Sequence, residues 1–312
     1  MRTSKSPQRV LEEAYEVGRR TLRTYSHRCS PKKFTQPQLF ACLVLKEFVR
    51  LDYRKLQAFL KDSPTMAEAI GLSVIPHYTT FQKAAVRLLK SGRAERLLDV
   101  TVERARKKGK IKRRVKLASL DGTGFETRHI SAYYVKRRQK GQKNEFQTTT
   151  YTRYPYAVIA CDCASHIILA VVSSRGPGSD MPYFQPTVRQ TARRATVDTL
   201  LADAAFDSEA AHVYARQEHH MRTVIPPIRG RPTTKLPRGR WRRWMATRFN
   251  RKKYGQRWQV ETVNSMLKRL LDSALRAREY WSQWREIFLR VLTHNIMILW
   301  WGFSTEQTCP VK

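Results

Sequence analysis

"VKLASLDGTGFE", residues 115–126, is where the chain changes character. Before it the pattern is helical and then, over 104–116, almost wholly basic. From Val115 a short apolar run leads to an aspartate and a glycine, which reads as a strand ending at Asp121 with turn residues after it. Further on, "PYAVIACDC" (155–163) and "HIILAVVSS" (166–174) read as two buried strands joined by a turn. "RGPGSD" (175–180) is a loop, with Asp180 placed to cap a helix over "MPYFQPTVRQTAR" (181–193). "DTLLADAAF" (198–206) reads as a strand ending at Asp203, and Asp207 or Ser208 caps a helix over "SEAAHVYARQE" (208–218). "MRTVIPP" (221–227) is a short last strand, followed by a loop rich in Arg and Trp over 229–256 and then closing helices. A three-strand meander, then helix, strand, helix and strand, predicts an α/β layer with a mixed sheet flanked by helices.

The N-terminal third predicts helices only. Thr35 caps a helix over 36–50, "DYRKLQAFLKD" (52–62) is a second, and "TMAEAIGL" (65–72) a short third closing near Gly71. Pro76 breaks the chain, Thr79 or Thr80 can cap, and a long basic helix follows. Short helices, a break and a basic helix are the plan of a helix-turn-helix reader, and equally of any small helical bundle.

Charge narrows the partners. The 312 residues carry 60 Lys and Arg against 25 Asp and Glu, a formal +35. Such an excess repels itself unless the working partner is an anionic polymer. Nucleic acid fits, because each neutralised phosphate releases a counterion. A membrane surface fits less well, since the basic residues are spread along the chain rather than gathered in one amphipathic helix. The N-terminus has no apolar stretch long enough for a signal peptide, and "VLTHNIMILWWGF" (291–303) is too short to span a bilayer, so it reads as a buried helix. Five cysteines without paired C-x-x-C spacing argue for a reducing compartment, the cytoplasm, and Cys161 and Cys163 read as packing on one strand face.

Acids are scarce in this chain, which makes their placement informative. Asp121 and Asp203 both close apolar strand-like runs, where side chains of open sheets project into a crevice. Taken singly, a strand followed by Asp-Gly is also a hairpin turn, and Asp203 is also a strand terminator. A third carboxylate lies on "YGQRWQVETVNSMLK" (254–268). At about 100° per residue, Tyr254, Arg257, Glu261 and Lys268 fall within roughly 60° of one another, opposite Val260, Val263, Leu267 and Leu270. Read alone, that stripe is a solvated face with a minor Arg257–Glu261 pair. Read with the two aspartates, it brings a third carboxylate toward them. Three clustered carboxylates repel unless a cation neutralises them, and hard oxygen ligands suit Mg²⁺ or Mn²⁺.

"YGQRWQVETVNSMLK" matches without a gap the Y-x-x-R-x-x-x-E-x-x-x-x-x-x-K signature of bacterial insertion-sequence transposases of the DDE type. "LASLDGTGFE" resembles the strand with that family's first Asp, and "LLADAAFDSE" its second. The resemblance covers roughly residues 114–303 and is looser over 28–100. It implies an RNase H-like catalytic fold in which Asp121, Asp203 and Glu261 hold two Mg²⁺ ions, with Mn²⁺ able to substitute. It implies water attack at the terminal inverted repeats of a mobile element, freeing a 3′-OH that then attacks target DNA. Tyr254, Arg257 and Lys268 would grip the phosphates of the element's end, and a homodimer would synapse two ends on double-stranded DNA. The 57 residues between Asp203 and Glu261 are too few for the β-rich insertion of some relatives, so a DNA hairpin intermediate stays open. Trp241, Trp244 and Trp258 are candidates for stacking on a flipped base and equally for packing.

The organisation expected is an N-terminal arm (1–27), a helical DNA-binding region (28–103), a basic linker (104–116), the catalytic domain (117–303) and a tail (304–312). The rival functions are an RNase H-like nuclease without strand transfer and a catalytically inactive, domesticated DNA-binding protein.

Overall fold

The computed structural model describes residues 3–127, 132–138, 146–228 and 236–300, with backbone only for 132–138 and 146–152. The chain divides into two compact units, residues 1–111 with 289–312, and residues 112–288. The boundary falls inside the last helix, α12 (Tyr280–Leu299), and ahead of the expected linker's end.

The first unit is helical: α1 (Pro7–Thr21), α2 (Gln36–Phe48), α3 (Tyr53–Asp62), α4 (Pro64–Glu68), α5 (Tyr78–Leu88) and α6 (Ser91–Lys107), with the second half of α12. The stretch expected as an arm therefore contains a helix. Val10, Leu11, Ala14 and Val17 recur at helical spacing and are fully buried. Gly18 lets α1 lie close on α2, since a Cβ there would sit 3.0 Å from Pro37 Cα. Thr35 caps α2 in a reciprocal capping box with Gln38, as the sequence predicts. Neither Thr79 nor Thr80 caps α5, which begins after His77 without a side-chain cap. The long basic helix is two helices, broken between Leu88 and Ser91. Buried Glu13 accepts from Arg104 Nε (2.5 Å) and Lys108 Nζ (2.7 Å), tying α1 to α6. Ile296, Ile298 and Leu299 of α12 are buried here, as expected for this segment.

The second unit is built on a five-stranded sheet of β1 (Arg114–Gly124), β5 (Tyr154–Asp162), β6 (Ile168–Gly176), β7 (Thr196–Ala202) and β8 (Arg222–Val224), in the order β6-β5-β1-β7-β8. β5 is antiparallel to β1 and β6, while β1, β7 and β8 run parallel. A meander whose first strand is flanked on its other side by two parallel crossover strands is the RNase H-like sheet. The helix α7 (Met181–Arg194) makes the β6-to-β7 crossover and buries Phe184, Thr187, Val188 and Thr191. A short helix, α8 (Glu209–Val213), precedes β8 and is capped by Ser208 rather than Asp207.

Three features depart from the sequence reading. The meander is interrupted between β1 and β5 by a two-residue strand β2 (Glu126–Thr127) and an antiparallel pair, β3 (Ala132–Arg138) and β4 (Phe146–Thr152). Asp180 does not cap α7; its carboxylate accepts from the Tyr156 hydroxyl at 2.6 Å. The loop rich in Arg and Trp contains α9 (Arg240–Thr247) and α10 (Arg251–Tyr254), after which come a 3-10 turn at Gly255–Arg257, α11 (Trp258–Leu271) and β9 (Ala274–Leu275), which pairs with β2. Glu209 accepts from the backbone N–H groups of Trp241 and Arg242, so α9 is capped by a carboxylate from α8.

Candidate active site

β1 does not end at Asp121. It runs on to Gly124, with Asp121 opposite Ile159 and Gly122 opposite Val158 on β5. Asp-Gly is thus strand and not turn, and the glycine has a steric reason. A Cβ on Gly122 would meet Tyr156 Oη at 1.5 Å. The absent side chain leaves room for the tyrosine that reaches Asp180.

Asp203 follows the last residue of β7, and its Oδ1 accepts from the Ala204 N–H at 2.7 Å, opening a 3-10 turn. Leu120 and Ala202 are register partners on parallel strands. The next residue on each strand is Asp121 and Asp203, so the two aspartates stand on neighbouring strands at about 4.8 Å lateral spacing.

Glu261 lies in the first turn of α11 and is half exposed. Arg257 joins the groups: its Nη2 donates to Glu261 Oε1, and its Nη1 lies 3.4 Å from Asp121 Oδ1. Burial pushes the Asp121 carboxyl up to about 6; Arg257 and the Gly122 N–H pull it back, and the Glu261 and Asp203 charges add to the rise. The same carboxylates outweigh burial at Arg257 and hold its guanidinium charged.

The stripe expected on 254–268 is only partly assembled. The 3-10 turn separates Tyr254 from α11, so the segment is not one continuous helix. Tyr254 packs on Phe249 (centroids 5.1 Å apart) against Cys163, Leu201 and Val224, and burial raises its phenol. Lys268 stands two turns beyond Glu261, about 10 Å along the axis. Its Nζ lies 5.9 Å from the Phe125 ring centre, in a cavity of about 470 Å³ lined also by Tyr154, Arg153 and Glu126. The structure therefore gathers Asp121, Arg257 and Glu261, sets Asp203 and Tyr254 beside them, and leaves Lys268 in the adjoining cavity.

Asn264 is a member of the site that the sequence reading does not single out. Its Nδ2 donates to Asp121 Oδ2 at 3.3 Å from within α11. The signal for it is present, since Asn264 sits three residues after Glu261 and shares its helix face. Trp258 is exposed, and the Arg248 guanidinium covers Trp244.

Among the described residues no three acidic, His or Cys side chains form a preassembled metal cluster. Arg257 instead supplies the positive charge between Asp121 and Glu261. The donor set consists of carboxylate oxygens around a cation, which is the chemistry of a hard divalent ion's site.

A family model for the transposase DDE domain matches residues 116–296, more than half of the chain. The chain belongs to the DDE transposase family. That match spans all three carboxylates. Comparison with curated proteins gave no match. Among solved structures, the transposase chain shares 10% identity and a TM-score of 0.24 with a crystal structure of the Mos1 mariner paired end complex with Mn, over 86% of this chain and 87% of that one. No described helix is long and apolar enough to cross a membrane.

Proposed function

We propose that this transposase binds the terminal inverted repeats of a mobile element, hydrolyses the phosphodiester at the element's end and joins the freed 3′-OH to target DNA. The observation that supports this reading best is the junction of Asp121, Arg257 and Glu261 beside Asp203, carried on β1, α11 and the end of β7.

Asp121, Asp203 and Glu261 are the residues that would hold Mg²⁺, or Mn²⁺ in its place. When bound, such ions neutralise the phosphate and lower the pKa of the attacking oxygen's proton. Arg257, paired here with Asp121 and Glu261, carries a planar fork that would suit a phosphate of the element's end. Tyr254 is fixed beside it by Phe249, and Asn264 holds the Asp121 carboxylate in orientation. Lys268 would hold a phosphate further along the strand. The helical region 28–103 would read the repeat sequence, two copies would synapse two ends, and the protein would work in the cytoplasm on the nucleoid.

The test is cleavage of end-labelled duplexes carrying the element's ends, in Mg²⁺ and in Mn²⁺. Wild type should nick at the repeat boundary and join the product to a second duplex. Asp121→Asn, Asp203→Asn and Glu261→Gln should bind DNA and do neither. Cutting that ignores the repeats, without joining, would instead assign a nuclease. Binding without cleavage in either metal would assign an inactive DNA-binding protein.

A further inference from the structure

A second cleft in the catalytic unit is lined by Arg114, Lys116, Leu117, Asp198, Thr199, His220, Arg222 and Lys253, and encloses about 440 Å³. Its charge is unbalanced. Four of the lining side chains are permanent cations and one is a carboxylate, and that carboxylate is already taken, since Arg114 Nε lies 2.5 Å from Asp198 Oδ1. Lys116, Arg222 and Lys253 are exposed, and no ion pair among the described residues engages them. Like charges gathered in one concavity focus a positive potential and raise the local concentration of anions.

The position of the cleft says which anion. Side chains two residues apart on a strand share a face. On β1, Leu117, Ser119 and Asp121 form one such series, and on β7 Thr199 and Leu201 lead to Asp203. Leu117, Thr199 and Arg222 are register partners across β1, β7 and β8. Arg222 and the carboxylates therefore lie on the same face of the sheet, four residues apart along the strands, which is about 13 Å. Lys253 joins from α10, in the segment that packs Phe249 and Tyr254 onto this face and delivers Arg257 to Asp121. A distance of about 13 Å is roughly four steps of a duplex strand at 3.4 Å per step.

We propose that Arg222 and Lys253, on the side of the cleft that faces the carboxylates, form a second DNA-phosphate site, which holds the backbone about four base pairs from the scissile phosphate. The placement of DNA rests on the proposed function; the anion site itself does not. It acts by neutralising phosphate and orienting the duplex, and has no part in the chemical step.

The experiment uses full-length protein and a duplex ending at the element's terminus, with Arg222→Gln/Lys253→Gln compared against wild type and Glu261→Gln. The double variant changes exposed side chains only and should melt with wild type. The slope of log affinity against log salt should fall by about 2 in the double variant, roughly 0.9 for each phosphate no longer neutralised. It should be unchanged in Glu261→Gln, which loses cleavage. At saturating DNA the double variant should still cleave. A neutral methylphosphonate placed about four base pairs from the cleavage position should weaken wild-type binding about 10-fold and leave the double variant unaffected. A wild-type slope in the double variant, or a methylphosphonate without effect on wild type, overturns the proposal. Inorganic phosphate is the second arm. Saturable phosphorus-resonance broadening that the double variant abolishes, with the DNA slope unchanged, would make this a small-anion site and overturn the assignment to DNA. Cleavage surviving in Glu261→Gln would overturn the proposed active site and leave the cleft standing.

Discussion

Arg257 Nη1 lies 3.4 Å from Asp121 Oδ1, so a residue of the turn before α11 neutralises a carboxylate in the middle of the sheet. Each is about four-fifths shielded from solvent. Removing the guanidinium removes the main charge that opposes burial at Asp121. Arg257→Gln should therefore raise the Asp121 pKa above about 6 in metal-free protein, as read by carboxylate carbon NMR. An unchanged value would mean that the pair is absent in solution.

The same residue gives metal binding a pH dependence. Asp121 titrates near 6 when folded, against an ordinary value of 3.8. The folded state thus favours the protonated acid, and metal-free stability falls as pH rises from about 4 to about 6. A divalent ion needs the carboxylate, so its stabilising effect should run the other way. The increase in melting temperature on adding Mg²⁺ should be small at pH 5 and large at pH 8. Equal increases at both would contradict Asp121 as a ligand.

Gly122→Ala should act through Tyr156. The new methyl must displace the phenol, distorting β1 next to Asp121, at a cost of about 1–3 kcal/mol for overpacking. Thermal melting should show that loss, and Tyr156→Ala in the same chain should recover part of it. If Gly122→Ala melts with wild type, the close approach is wrong.

Glu13 should make the helical unit sensitive to acid. Burial raises its pKa, but hydrogen bonds and charge from Arg104 and Lys108 outweigh burial and leave it below 4.5. A depressed acid contributes stability that is present above its unfolded value and lost as pH falls through the folded one. Glu13→Ala should cost about 3–5 kcal/mol at neutral pH, because two partly buried cations lose their counter-ion. Its stability should change less between pH 5 and pH 3 than that of wild type. Chemical denaturation at these pH values checks both.

The local features legible in the sequence are those set by neighbours in the chain. The Thr35 box, the turn closing at Gly71 and the Ser208 cap depend on interactions within a few residues, and the apolar runs of β5, β6 and β7 are legible as composition. The Y-x-x-R-x-x-x-E spacing belongs here too, since Arg257 meets Glu261 one helical turn away. Departures gather where a distant group decides. Asp121-Gly122 has the composition of a turn, and only the Val158 and Tyr156 side of β5 keeps it a strand. Asp180 has the position of a cap, but the Tyr156 hydroxyl competes for it. The α9 segment carries Trp241, Trp244 and Met245 at helical spacing over only eight residues, and its capping carboxylate comes from Glu209 in another element.

By itself, then, the sequence determined the five strands of the main sheet in their order, the polyanion-seeking charge and three candidate carboxylates, because periodicity, composition and motif spacing are properties of the chain. The tertiary structure decided that Asp121 and Asp203 are neighbours through the register of β1 on β7, that Asn264 serves Asp121, and that Lys268 lies in a cavity of its own. It also brought Lys116, Arg222 and Lys253 into one cleft. Strand register and helix docking are set by packing between residues far apart in the chain, and no local pattern carries that information.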